Sequence, residues 1–120
     1  MKRSMMHVYT KNSGEAFEFY RRAFDAAVVC CHPREDGTID HAELDVYGQI
    51  VALRELDGDS VSTGNTMQFC LELGEGDVVR KIYGALREGA LKDAPPDSCE
   101  WSPLVFGVID KYGVNWCVYV

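Results

Sequence analysis

The chain can be laid upon itself in two registers that differ by three residues. At an offset of 62, Gly14-Glu15-Ala16-Phe17 falls on Gly76-Asp77-Val78-Val79 and Ala23-Phe24 on Ala85-Leu86. At an offset of 65, Asp45-Val46-Tyr47-Gly48 falls on Asp110-Lys111-Tyr112-Gly113, and the strand-like run after each turn matches in apolar character. A repeat of this length restricts the fold more than any single motif, because both halves must build the same supersecondary unit. Amphipathic helices resemble one another through periodicity alone. The weight therefore rests on the shared order of elements.

That order can be read in each half. In the first, residues Met5 to Lys11 make a short apolar strand, and Asn12-Ser13-Gly14 supplies a turn and an N-cap for a helix with Glu15 in its first turn. Phe17, Tyr20, Ala23 and Phe24 recur at helical spacing and form its buried stripe. Ala27 to His32 is rich in β-branched and apolar residues, Pro33 to Thr38 is a turn cluster, and Ile39 to Val46 and Gln49 to Glu55 are strands joined tightly by Tyr47-Gly48. The second half repeats the scheme: strand Met67 to Leu73, helix Asp77 to Glu88, a short strand Ala90 to Asp93, a loop Ala94 to Ser102, and strands Leu104 to Ile109 and Asn115 to Val120. The expectation is one α+β domain over residues 1–120, with a first βαβββ module at 5–55 and a second at 66–120, forming a cupped mixed sheet.

Two helices cannot cover both faces of eight strands, so the uncovered face must meet water, enclose a ligand or pack on another chain. The runs Val28-Val29-Cys30-Cys31 and Trp116-Cys117-Val118-Tyr119-Val120 are apolar at consecutive positions, which predicts burial on both strand faces and a covered sheet. Five cysteines without framework spacing are expected to be buried, reduced thiols. At 120 residues and a net charge of −7, with no Lys/Arg cluster longer than Arg21-Arg22, the chain lacks the basic footprint of a nucleic-acid binder. It also lacks an apolar run that would span a bilayer and the apolar segment of a signal peptide, so the expected setting is cytoplasmic, with no membrane partner.

Three stretches carry a resemblance: Glu15-Ala16 to Phe19-Tyr20, His41-Ala42-Glu43-Leu44, and the tail Trp101, Phe106-Gly107 and Asp110-Lys111-Tyr112-Gly113-Val114-Asn115-Trp116. Together they are similar to the vicinal oxygen chelate superfamily of glyoxalase I, bleomycin and fosfomycin resistance proteins and extradiol dioxygenases, and more narrowly to its PhnB-like branch. The resemblance implies paired βαβββ modules, a homodimer, and a metal or small-molecule site in a cup. In metal-dependent relatives one ligand stands on the first strand and one on the last strand of each module. Carried over through the repeat, these places are His7 and, with a one-residue gap, Gln68 on the first strands, and Ala52 and Cys117 on the last, where the relatives have carboxylates. His7 can ligate as a neutral imidazole and Gln68 through its carbonyl oxygen. Ala52 offers no donor, and Cys117 within an apolar run has the character of a small hydrophobe.

Spacing alone singles out a further pair. His41 and Glu43 are two apart on a strand and share a face, with Asp45 continuing the row. Such a pair can chelate a cation or act as a base with an orienting carboxylate. Alternation favours a plainer reading, a solvated outer face with Ala42, Leu44 and Val46 turned inward. Gly-rich phosphate loops and the H-E-x-x-H, G-x-S-x-G and C-x-x-C patterns are absent. Asp57-Gly58-Asp59 lacks the Glu that closes a calcium loop. His32 to Gly37 can be a flap or a connection.

Aromatic residues Tyr9, Phe69, Trp101, Phe106 and Trp116 give a pocket its walls. The expected function is small-molecule binding in the cup by His7, Tyr9, Gln68, Trp101, Trp116 and Cys117, with no cofactor required. The alternative is a divalent-metal-dependent lyase, transferase or dioxygenase using His7 and Gln68 with further donors.

Overall fold

Each half of the chain forms a βαβββ module. The computed structural model describes residues 1–120, and they divide into two units, Met1–Val61 and Ser62–Val120. The first contains β1 (Met6–Thr10), α1 (Ser13–Ala23), β2 (Ala27–Pro33), β3 (Ile39–Val46) and β4 (Gln49–Glu55). The second contains β5 (Phe69–Glu72), α2 (Gly76–Leu86), β6 (Lys92–Cys99), β7 (Ser102–Ile109) and β8 (Asn115–Tyr119). Hydrogen bonding groups the strands into two four-stranded sheets, ordered β1-β4-β3-β2 and β5-β8-β7-β6. The pairs β1/β4 and β5/β8 are parallel and the others antiparallel. No helix is long and apolar enough to cross a membrane.

In the first unit α1 packs on one side of the sheet. Ala16, Phe17, Phe19, Tyr20 and Ala23 form its buried stripe against Val8, Ala42, Leu44, Val46, Val51 and Leu53, all sealed from solvent. Glu15 in its first turn and Arg21 and Arg22 in its last complement the helix dipole. Asn12 takes a left-handed conformation without a side-chain cap bond. The cap comes instead from Glu55 at the end of β4, whose Oε1 accepts from the Ser13 backbone N–H at 3.0 Å and from its hydroxyl at 2.9 Å. Ser13 Oγ in turn accepts from the Ile39 N–H at 2.7 Å. A long-range carboxylate thus replaces the local cap expected of Asn12-Ser13-Gly14, and it ties helix, β3 and β4 together.

The second unit repeats this with Val79, Ile82 and Leu86 of α2 buried against the side of the sheet that carries Trp116, Val118, Leu104, Phe106 and Val108. The turns that anchor the sequence repeat share one device. Asp45 Oδ1 accepts from Gly48 N–H at 2.7 Å, and Asp110 Oδ1 accepts from Tyr112 and Val114 N–H at 2.9 and 3.1 Å. Asp110 Oδ2 also holds the Trp116 indole N–H at 2.9 Å.

Three expectations need correction. Residues Ala94 to Cys99, expected as loop, continue β6 through Pro95-Pro96. β6 is an edge strand, and register shifts between Ala94, Asp97 and Cys99 take up prolines that cannot donate to a ladder. The consecutive apolar residues of β2 are not buried on both faces: β2 is also an edge strand, with Val28 and Val29 about half exposed. In β8, only Trp116 and Val118 are buried, alternating with half-buried Cys117 and Tyr119. The cysteines are accordingly free but not buried: Cys31, Cys70 and Cys99 are exposed, and Cys30 and Cys117 are intermediate.

Candidate functional site

Because a helix covers one face of each sheet, the alternate residues on every strand point to the other face. In the first unit, register across the strands sets His7 opposite Ala52, Ala52 opposite Glu43, and Glu43 opposite Cys30. This row crosses all four strands. A bulge between Val28 and Cys30 brings Cys30 onto this face. Tyr9 and His41 extend the row, with the His7 ring 4.7 Å from that of Tyr9 and 5.7 Å from that of His41.

Glu43 is the centre of the polar part. One carboxylate oxygen accepts from Arg3 Nη1 at 2.5 Å and the other pairs with His41 Nε2 at 2.9 Å. Its side chain is only 7% exposed, so the solvated outer face expected for the His41-Glu43 row is corrected: Arg3, from the segment before β1, covers it. These two partners hold the Glu43 carboxyl down to about 2, the Arg3 hydrogen bond contributing most. His7 has its pKa lowered, first by burial and then by the neighbouring His41 and Arg54 side chains. A neutral imidazole has a free ring nitrogen to donate to a ligand or metal.

In the second unit the corresponding row is Cys70, Cys117, Gly107 and Ala94. Cys117 stands in the place of Ala52, as the repeat predicts. The residue that faces it from the first strand is Cys70, which the sequence argument passed over in favour of Gln68; the gap in the alignment can be set on either side, and only the ladder decides. Gln68 lies just before β5 and receives the Cys70 thiol at 3.7 Å while donating to Asn115 Oδ1 at 3.2 Å. Burial, then the Cys70 thiol beside it, pushes Cys117 up to about 11. Trp101 is exposed and stands edge-on to Tyr119 at 4.9 Å. Trp116, expected to touch ligand, is instead fully buried on the helix side with its N–H held by Asp110, because it alternates with Cys117 along β8. Gln68 and Asn115 border a hollow of about 190 Å³ with Lys92, Ala94, Gly107, Val108 and Ile109. A second, of about 240 Å³, lies against Met67, Phe69, Gly113 and Asn115.

The residues at the superfamily's metal positions do not fit that ion. Ala52 presents a methyl group and both polar ends of the Gln68 amide are engaged, so His7 and the Cys117 thiol are the donors left at these places, fewer than the three or four protein ligands that such sites use. His32 and Pro33 end β2, and Arg34 to Gly37 make the turn into β3, with Arg34 N–H bonded to Thr38 O at 2.7 Å and its guanidinium paired with Asp57.

No family model matches the chain. It is 28% identical over 118 residues to an uncharacterized protein of Mycobacterium bovis, Mb0911c, covering 92% of this chain and 77% of that protein. Among solved structures, protein PA1353 of Pseudomonas aeruginosa aligns with a TM-score of 0.83 at 18% identity, covering 99% of this chain and 97% of that one. The PhnB protein of Bacillus cereus gives 0.81 at 19%, covering 98% of each. A glyoxylase/bleomycin resistance protein/dioxygenase domain of a Frankia species gives 0.72 at 15%, covering 100% and 95%. The chain has the fold of the vicinal oxygen chelate proteins, PhnB-like members included.

Proposed function

We propose that this chain, built on the vicinal oxygen chelate fold, is a small-molecule binding protein of the PhnB-like type that takes its ligand on the helix-free sheet faces without the superfamily's usual metal site. The observation that carries this reading is the division of each sheet: one side is sealed by its helix, while the other presents His7, Tyr9, His41 and Glu43 in one unit and Gln68, Asn115, Cys117 and Tyr119 in the other. Ligand sites combine apolar and aromatic walls with a few polar groups that fix orientation. The hollow beside Gln68 and Asn115 is smaller than the ~300 Å³ at which drug-sized pockets begin, so a compact ligand suits it. The acidic balance of the chain favours a cationic one. Trp116 supports the site from behind and does not touch the ligand.

The metal-dependent lyase, transferase or dioxygenase reading needs a donor where Ala52 stands. The half-exposed Val28 and Val29 on edge strand β2 favour a homodimer, and five free thiols favour the reducing cytoplasm.

A thermal-unfolding screen of the reduced protein against compact cationic and aromatic compounds tests the reading. A ligand at about 100 times its dissociation constant stabilises by about 2.7 kcal/mol, a shift of several degrees for a domain of this size. Tyr9→Ala should diminish the shift of a ligand held on the first unit, and Gln68→Ala that of a ligand held on the second. A screen with no stabilising compound, or a shift indifferent to both substitutions, overturns it.

A further inference from the structure

The thiol of Cys30, the imidazole of His41 and the carboxylate of Glu43 come from two adjacent strands, and their donor atoms all lie within 4.8 Å of one another. None of the three occupies a position where the superfamily places a metal ligand. We propose that they form a binding site for a zinc-like divalent ion, and that the Arg3 guanidinium occupies the carboxylate in its place when the ion is absent. This goes beyond the ligand-binding reading and does not depend on it.

Donor chemistry selects the ion. One sulfur, one nitrogen and one oxygen suit a borderline cation such as zinc, while magnesium, calcium and manganese prefer oxygen throughout. Tetrahedral zinc, with sulfur at about 2.3 Å and nitrogen or oxygen at about 2.0–2.2 Å, sets its donors roughly 3.3–3.6 Å apart, so a pair at the 4.8 Å limit of the Cys30-His41-Glu43 group closes by roughly 1.2–1.5 Å, while the His41-Glu43 pair, at 2.9 Å, opens slightly. Side-chain rotation supplies that.

The backbone under the group is already specialised. The β-bulge between Val28 and Cys30 sets Cys30 beside Glu43, and the 2.9 Å contact between His41 and Glu43 orients the imidazole. His7, with its ring 5.7 Å from that of His41, is a further imidazole on the same sheet face.

Arg3 carries the second half of the argument. Its guanidinium is bonded to Glu43 through both terminal nitrogens, at 2.5 and 3.2 Å, yet its side chain is about half exposed and its segment belongs to no helix or strand. A nearly buried carboxylate requires a cation, and Arg3 is one that can leave without unfolding an element. Metal binding exchanges one positive partner for another, with the Cys30 proton passing to solvent.

The test uses the full chain, reduced and stripped with chelator, titrated with cobalt(II) and then zinc. One equivalent of cobalt should bind with a thiolate-to-cobalt charge-transfer band in the near ultraviolet, and zinc should abolish the band by displacement. Cys30→Ser should lose the band, while Cys70→Ser and Cys117→Ser keep it. Arg3→Ala should tighten binding by about two- to fivefold, the worth of a part-exposed ion pair. A band that survives Cys30→Ser, a band lost in Cys117→Ser, or no stoichiometric binding overturns the site. Weaker binding in Arg3→Ala overturns the competitor role. If Cys30→Ser does not fold by circular dichroism, Glu43→Gln is read in its place, with weakened cobalt binding expected and unchanged binding contrary. Failure of the compound screen above leaves every one of these readouts intact.

Discussion

Thr10 sits on the helix side of β1 at 1% exposure, and its Oγ1 has no hydrogen-bond partner. A buried hydroxyl without a partner costs roughly 1–3 kcal/mol on the scale of mutational data. Thr10→Val keeps the shape and removes the polar atom, so the urea midpoint should rise by the equivalent of about 1 kcal/mol; a lower midpoint would mean that the hydroxyl is satisfied in solution. Cys117 gives a prediction in pH. Its folded pKa, about 11, lies above the ordinary thiol value of 9.0, so folding favours the protonated form. That contribution is complete below about pH 9 and is lost as pH rises through about 11. Compared with Cys117→Ala, the wild type should lose stability over that window and match its own neutral behaviour below it. Parallel pH profiles for the two proteins would refute the assignment.

At the scale of elements, the close approach of two backbones decides one residue type. A Cβ on Gly14 would stand 2.6 Å from the Gly37 carbonyl oxygen, so the first turn of α1 can lie against the β2–β3 turn only with glycine there. Gly14→Ala should lower the thermal midpoint despite alanine's better helix propensity, which alone favours the substitution by about 1 kcal/mol; a stabilised variant would show that the turn yields freely. The boundaries of β3 and β4 were legible because Tyr47 and Gly48 both adopt positive φ, the signature of a two-residue hairpin. β6 was not, since Pro95-Pro96 has the look of a loop unless the strand is known to lie at an edge. The His41-Glu43 pair was visible as spacing, but its burial depends on Arg3, 40 residues away in the chain. Trp116 was recognised as an aromatic of the tail, yet which way it points follows from alternation with Cys117 and from Asp110, and a continuous apolar run conceals both. The counterpart of His7 was misplaced at Gln68 because a one-residue gap has no preferred side in sequence.

For the whole molecule, the proposed dimer predicts sedimentation at about twice 13.4 kDa at micromolar concentration, with Val28→Lys or Val29→Lys on β2 shifting the species toward monomer. A wild-type monomer removes the argument from the exposed edge. The two modules keep the same helix side and the same aspartate-held turn, yet the rows on their open faces differ at every position: His7, Ala52, Glu43 and Cys30 in one, Cys70, Cys117, Gly107 and Ala94 in the other. Foldability and chemistry are thus written on alternate residues of the same strands. A protein engineer can use that separation: the exposed positions of either open face can be redrawn while the sealed side is left untouched.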